Sequence, residues 1–164
     1  MRIGFTGTRK GMTKKQSDVL RRILIGNLSD INTGINEFNH GNCIGADEEA
    51  AIMAHELKYT VFAHHPMDVN KSSDNLVKIN DVNHEPKPYL ERNRNIVKAT
   101  DFIVATPSTK EEVLRSGTWA TIRYAKDKLK KPYYIIYPDG EYIEGDGNEC
   151  YDDKKPKEDS DKTV

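Results

Sequence analysis

The chain has 164 residues, 36% of them hydrophobic and 31% charged. That is enough length for one domain with a real core, and too much apolar content for a disordered chain. Lys and Arg number 25 against 26 Asp and Glu, a formal net charge of −1, so no global field draws the chain to a nucleic-acid backbone or an anionic membrane. No apolar run approaches the roughly 20 residues that span a bilayer. The start, Met1-Arg2-Ile3-Gly4-Phe5, reads as a strand rather than a leader. Two cysteines, Cys43 and Cys150, are too few for a disulfide framework or a closed zinc site. The expectation is a cytoplasmic domain with no membrane segment.

Apolar periodicity then alternates between strand and helix along the chain. Residues 2–6 form a short apolar run ending at Gly7 and predict a first strand. From Thr13, the positions Val19, Leu20, Ile23, Leu24, Leu28 and Ile31 recur at helical spacing, and Thr13 with Gln16 makes a capping box that fixes the helix start. Residues 37–40 before Gly41 predict a weak second strand. Ala46, Ala50, Met53, Ala54 and Leu57 mark a helix with small residues facing inward. Residues 60–63 read as a third strand, ended by His64-His65-Pro66. Residues 67–87 are polar and aperiodic, a loop long enough to be functional. Pro88 opens a third helix carrying Leu90, Ile96 and Val97, and residues 101–106 are the strongest strand pattern in the chain. Ser116 and Gly117 begin a fourth helix with Trp119, Ile122, Ala125 and Leu129 inward. Residues 133–137 are the last strand, closed by Pro138-Asp139-Gly140.

Strands alternating with helices predict an α/β fold, a doubly wound, three-layer, Rossmann-like sandwich. Its sheet is mainly parallel and five-stranded, with the order 3-2-1-4-5. The domain is expected over residues 1–140, and residues 141–164, rich in charged and small side chains, read as a solvated tail.

In such sheets ligands bind beyond the carboxyl ends of the strands, where the strand order reverses. Four segments converge there. Gly7, Thr8 and Arg9 leave the first strand, the glycine permitting a turn and the guanidinium offering a planar fork for phosphate or carboxylate. His40-Gly41-Asn42-Cys43-Ile44-Gly45-Ala46-Asp47 joins the second strand to the second helix. Asp47 there either supports the helix start or accepts from a ribose hydroxyl or a water. Glu91-Arg92-Asn93-Arg94-Asn95 resembles an anion clamp on the third helix, and a solvated helix face is the plain alternative. Arg115-Ser116-Gly117-Thr118 opens the fourth helix with free amides. Trp119 falls on an apolar face and reads as core. His64 and His65, adjacent on a strand, point to opposite faces and cannot share an ion. Neither a metal nor a separate cofactor is expected, and no nucleophile elbow or Walker loop is present.

Taken in order, Gly4-x-Thr6-Gly7-Thr8-Arg9, His40-Gly41-x-x-x-Gly45-Ala46-Asp47-x-x-Ala50, Arg92-Asn93-Arg94-x-Ile96-Val97 and Ser116-Gly117-Thr118 resemble the SLOG superfamily. That Rossmann-like group holds the DprA/Smf domains, the Lonely Guy (LOG) phosphoribohydrolases, the YspA/YpsA-related proteins and ligand-sensing domains of bacterial immune effectors. The flavour is that of the small stand-alone bacterial or phage members, and the likeness runs over residues 1–140. It implies a pocket for nucleotide-derived molecules. Gly7, Thr8 and Arg9 would line one side, Gly45 and Asp47 the floor, and Gly117 and Thr118 would hold a phosphate. It also implies a homo-oligomer. The LOG signature PGGxGTxxE is not matched: Arg115-Ser116-Gly117-Thr118 stands at the glycine run and Thr121 at the glutamate. Thr121 has no pKa suited to acid–base work.

The leading functional expectation is binding of an ADP-ribose-like molecule or a nucleoside phosphate, as a sensor or sequestering protein. The ligand set is Gly7, Thr8, Arg9, Gly45, Ala46, Asp47, Arg92, Asn93, Ser116, Gly117 and Thr118. The alternative is cleavage of the N-glycosidic bond of a nucleoside 5′-monophosphate, with Asp47 as the catalytic carboxylate. Single-stranded DNA binding ranks third, because the chain carries no basic stripe.

Overall fold

The structure, a computed structural model, describes residues 1–28 and 34–148. In chain order the elements are β1 (Arg2–Gly7), α1 (Lys14–Gly26), β2 (Glu37–His40), α2 (Ala46–Glu56), β3 (Thr60–Pro66), β4 (Val82–Lys87), α3 (Tyr89–Ala99), β5 (Phe102–Thr106), α4 (Gly117–Arg123), β6 (Tyr133–Ile136) and β7 (Tyr142–Gly145). They build one sheet of order β4-β3-β2-β1-β5-β6-β7. Every pairing is parallel except β6–β7.

The five expected strands are present in their expected order, flanked by two that apolar periodicity does not show. β4 lies inside the aperiodic stretch 67–87, and β7 inside the stretch 141–164 expected to be tail. β4 carries a single β-branched apolar residue, Val82, plus Pro86, and is exposed along most of its length. It is an edge strand held by its backbone pairing to β3, so hydrophobic alternation could not reveal it. β7 returns from β6 through the Pro138-Asp139-Gly140 turn. The Tyr137 amide donates to the Glu141 carbonyl at 2.8 Å and Gly140 to Tyr137 at 2.9 Å. The rest of the expected tail, residues 149–164, lies outside the described residues, as does Ile31 of the first helical pattern.

The alternation of side chains across the strands sorts the core into two layers. Ile3, Phe5, Phe38, Val61, Phe102 and Val104 face α1 and α2, joining Val19, Leu20, Leu24, Ala50, Met53 and Ala54. Ile103 and Ala105 face the other way, toward Ile96, Val97 and Ala125 on one patch and Trp119 and Ile122 on another. Trp119 is buried in that second layer, where its apolar spacing put it. Leu90 is not core: it sits exposed in the first turn of α3. α4 is shorter than its apolar spacing suggested, passing into a π-helical stretch at Tyr124–Lys128. At α1 the Thr13–Gln16 capping box is complete in both directions, a local contribution of about 1 kcal/mol. Gln16 also donates to the carbonyls of Pro107 (2.8 Å) and Ile136 (2.9 Å), stapling α1 to the carboxyl ends of β5 and β6.

Candidate functional site

The strand order reverses between β1 and β5, and the loops leaving their carboxyl ends part there. The gap is a cavity of about 390 Å³. The β1–α1 loop supplies Thr8 and Arg9. The turn after β2 supplies Gly41 and Cys43, and the first turn of α2 supplies Asp47. α3 contributes Tyr89, Arg92 and Asn93, and the β5–α4 loop contributes Ser108 and Arg115 through Thr118. Lys71 closes one wall from the segment between β3 and β4.

Of the residues singled out from sequence, Gly7, Thr8, Arg9, Asp47, Arg92, Asn93, Ser116, Gly117 and Thr118 all line this cavity. Gly45 and Ala46 do not. Gly45 adopts φ +96°, and a Cβ there would strike the backbone of Arg9. It is required behind the wall, not on it. Ala46 is fully buried, and its amide donates to the Thr8 carbonyl at 3.0 Å. These two residues therefore set the position of the Thr8–Arg9 turn from behind.

Asp47 does not cap its own helix. Its Oδ2 reaches back to accept the amides of Gly41 (3.1 Å) and Cys43 (3.2 Å), so the carboxylate shapes the preceding turn. Among the described residues Oδ1 accepts no hydrogen bond, leaving one oxygen for the cavity. Burial pushes the Asp47 carboxyl up to about 6, against the opposing pull of the nearby Arg92 guanidinium and the two amides.

Arg92 is the least ordinary residue in the molecule. It is only 3% exposed, yet no carboxylate of the described residues lies within ion-pairing distance of it. Its Nη1 donates to the Gly41 carbonyl and lies 3.5 Å from Cys43 Sγ, while its Nε is buried without a partner. Gly41 threads between the two charges: a Cβ there would overlap Arg92 Nη1 and come within 2.8 Å of Asp47 Oδ2. Asp47 attracts it only across the Gly41 turn, and burying a guanidinium without a direct ion pair costs several kcal/mol in general. The cation is held in place by the Gly41 carbonyl, the Cys43 sulfur, the Tyr89 ring and the longer-range pull of Asp47.

The stretch 67–81 proves to be a strap fixed to the site. Asn42 Nδ2 donates to Ser72 Oγ at 2.8 Å, the Ser73 amide to the Asn42 carbonyl at 2.9 Å, and Ser73 Oγ to Glu48 at 2.6 Å. Asn80 bridges His40 and Asn42, each at 2.8 Å. His40 is wholly buried, and burial holds its pKa down at about 4, so it anchors Asn80 of the strap as a neutral ring. These bonds carry Lys71 to the cavity wall. The length of this polar run marks it as functional, but nothing in it singles out Lys71. Tyr89 and Cys43 also escape sequence reasoning, the first standing immediately after the helix-opening Pro88. Thr121 turns its hydroxyl back to the Gly117 carbonyl at 2.9 Å, away from any chemistry at the cavity.

Four cations (Arg9, Lys71, Arg92 and Arg115) thus surround a cavity whose lining contains one carboxylate, Asp47. Among the described residues no group of His, Cys, Asp or Glu could hold a metal ion, and no helix is long and apolar enough to cross a membrane.

No family model matches the chain, and no curated protein does. Solved structures do match. The molybdenum cofactor binding protein of the phototrophic bacterium Rippkaea orientalis aligns with a TM-score of 0.59 at 18% identity, over 82% of this chain and 75% of that one. DNA processing protein A (DprA) of Streptococcus pneumoniae aligns with a TM-score of 0.58 at 17% identity, over 82% of this chain and 50% of that one. This chain shares its fold with both proteins. TM1055, a structural-genomics target, aligns at 0.55 and 14% identity, over 81% of this chain and 72% of its own. At these identities the likeness is one of fold. The chain spans about half the length of the DprA chain it matches.

Proposed function

We propose that the cavity binds a nucleotide-derived small molecule, an ADP-ribose-like compound or a nucleoside phosphate, and that the protein acts as a sensor or sequestering partner for it. The observation that carries the reading is Arg92, a buried cation with no carboxylate of the described residues at ion-pairing distance, facing a cavity that three further cations share. A phosphate supplies the missing counter-charge, and guanidinium forks match its geometry. The free Oδ1 of Asp47 suits a sugar hydroxyl, which donates to it. Similarity in fold to a molybdenum cofactor binding protein adds weight to a small-molecule role for this fold. Calorimetric titration of the chain with nucleoside mono- and diphosphates and ADP-ribose-like compounds tests the reading. One-site binding that weakens steeply with salt is expected, and silence from the whole panel with folded protein refutes it.

A second reading has one observation in its favour. A carboxyl raised to about 6 and half unbonded is suited to N-glycosidic chemistry on a nucleoside 5′-monophosphate, in which Asp47 supports an oxocarbenium-like centre. Incubation with nucleoside monophosphates followed by chromatography separates the two: free base released by the native chain, and not by Asp47→Asn, establishes the enzyme. Homo-oligomerisation belongs to the same family resemblance, and sedimentation of the purified chain measures it.

A further inference from the structure

We propose that Tyr89 is an internal competitor for the cavity's cations: its ring engages Lys71 and Arg92, and an entering phosphate takes both from it and displaces the ring. The proposal rests on the anion-binding reading above and adds the residue that sets how tightly an anion is held.

Tyr89 opens α3 and stands at the cavity wall, 38% exposed. The Lys71 ammonium lies 5.9 Å from its ring centroid and the Arg92 guanidinium carbon 5.3 Å. Both cations line the same cavity as the ring. The other end of the side chain packs on Gly117, where a Cβ would land on the phenol oxygen. Tyr89 therefore spans from the strap and α3 across to the start of α4, over the space an anion would occupy. Among the described residues its hydroxyl makes no hydrogen bond. It is held by cation–π attraction and by packing on Gly117, at the first position of α3.

The competition has a clear winner. Cation–π contacts at partly exposed sites are weak, whereas phosphate oxygens form short, charge-assisted bonds to guanidinium and ammonium groups. The ring turns its negative π-face toward these two cations, so an anion drawn to them meets that face and disfavours the ring where it stands. A ligand must thus give back the two ring contacts, and removing the ring removes that loss. A hydroxyl that instead donates to the ligand would produce the opposite result when deleted.

Calorimetric titration with pyrophosphate at low ionic strength, on the full chain and its Tyr89→Phe and Tyr89→Ala variants, decides between them. Tyr89→Ala is expected to bind on the order of tenfold tighter than the native chain, and Tyr89→Phe within about twofold of it. In parallel, the protein labelled with 3-fluorotyrosine gives a ¹⁹F resonance for Tyr89, identified by its loss in Tyr89→Phe. That resonance is expected to move on saturation with pyrophosphate. Equal or weaker binding by Tyr89→Ala, a marked loss in Tyr89→Phe, or a stationary resonance overturns the competitor role and leaves the anion cavity standing. No pyrophosphate binding by any of the three folded proteins overturns the anion-binding reading and the competitor role together.

Discussion

Replacing Arg92 by methionine should stabilise the protein and destroy its ligand binding, whereas loss of an arginine kept only for packing would lower stability. The substitution roughly conserves volume, so it opens no large cavity. It removes the bond to the Gly41 carbonyl and the contact with the Tyr89 ring, together about 2–3 kcal/mol. It also abolishes the desolvation of a guanidinium that is 3% exposed and lacks an ion pair. That relief is several kcal/mol in comparable buried sites, less what Asp47 loses when its attracting cation goes. The net expectation is a gain of about 1–2 kcal/mol, which raises Tm by about 2–8 °C for a chain of this size. Phosphate binding should fall by about 100-fold or more, since the lost contact is a desolvated charge pair. Thermal unfolding by circular dichroism, paired with calorimetric titration, reads both. A methionine variant that melts lower and still binds with native affinity would refute the idea that Arg92 is kept for an anion at a cost in stability.

Asp47→Asn should raise stability at pH 7 by about 1–3 kcal/mol and leave it unchanged near pH 4. The sign follows from a folded-state pKa of about 6, above the ordinary carboxyl value of 3.8: the fold favours the protonated carboxyl, and its penalty appears as pH rises through that window. His40 and His64 act oppositely, burial having lowered them to about 4 and about 3. Their contribution is intact above pH 6.5 and is lost as the pH falls toward those values. Urea titrations should therefore show His40→Gln flattening the acid limb by up to about 1.4 kcal/mol per pH unit, the slope of one proton. Gly41→Ala should push the Arg92 guanidinium off its carbonyl and weaken phosphate binding at least about tenfold, measured by the same titration. Gly45→Ala should destabilise the fold by about 2 kcal/mol or more, because it meets both a positive φ and the Arg9 backbone.

The fold was legible where burial left a period in the sequence. Phe102 to Ala105 alternate between two buried layers, and Val19, Leu20 and Leu24 mark one face of a capped helix. β4 left no such mark, because its residues are held through backbone bonds at an exposed edge. β7 was recoverable in principle from the Pro138-Asp139-Gly140 turn followed by Tyr142 and Ile143. The cavity lining was legible through glycine turns and guanidinium groups, which sit at loop ends without any need for periodicity. Gly45 and Ala46 show the limit of that reasoning: a motif residue can serve a site from behind its wall. Lys71 shows the complementary limit, since a lysine in a polar run acquires its role only when Asn42, Ser73 and Asn80 tie the strap down.

Amide chemical-shift mapping during titration with a nucleoside diphosphate tests the central claim most directly. The largest shifts are predicted at Thr8, Arg9, Gly41, Cys43, Gly117 and Thr118, the amides around the gap between β1 and β5, with the exposed amides of β4 unmoved. Saturable shifts centred elsewhere on the molecule, or none at millimolar ligand, would contradict it.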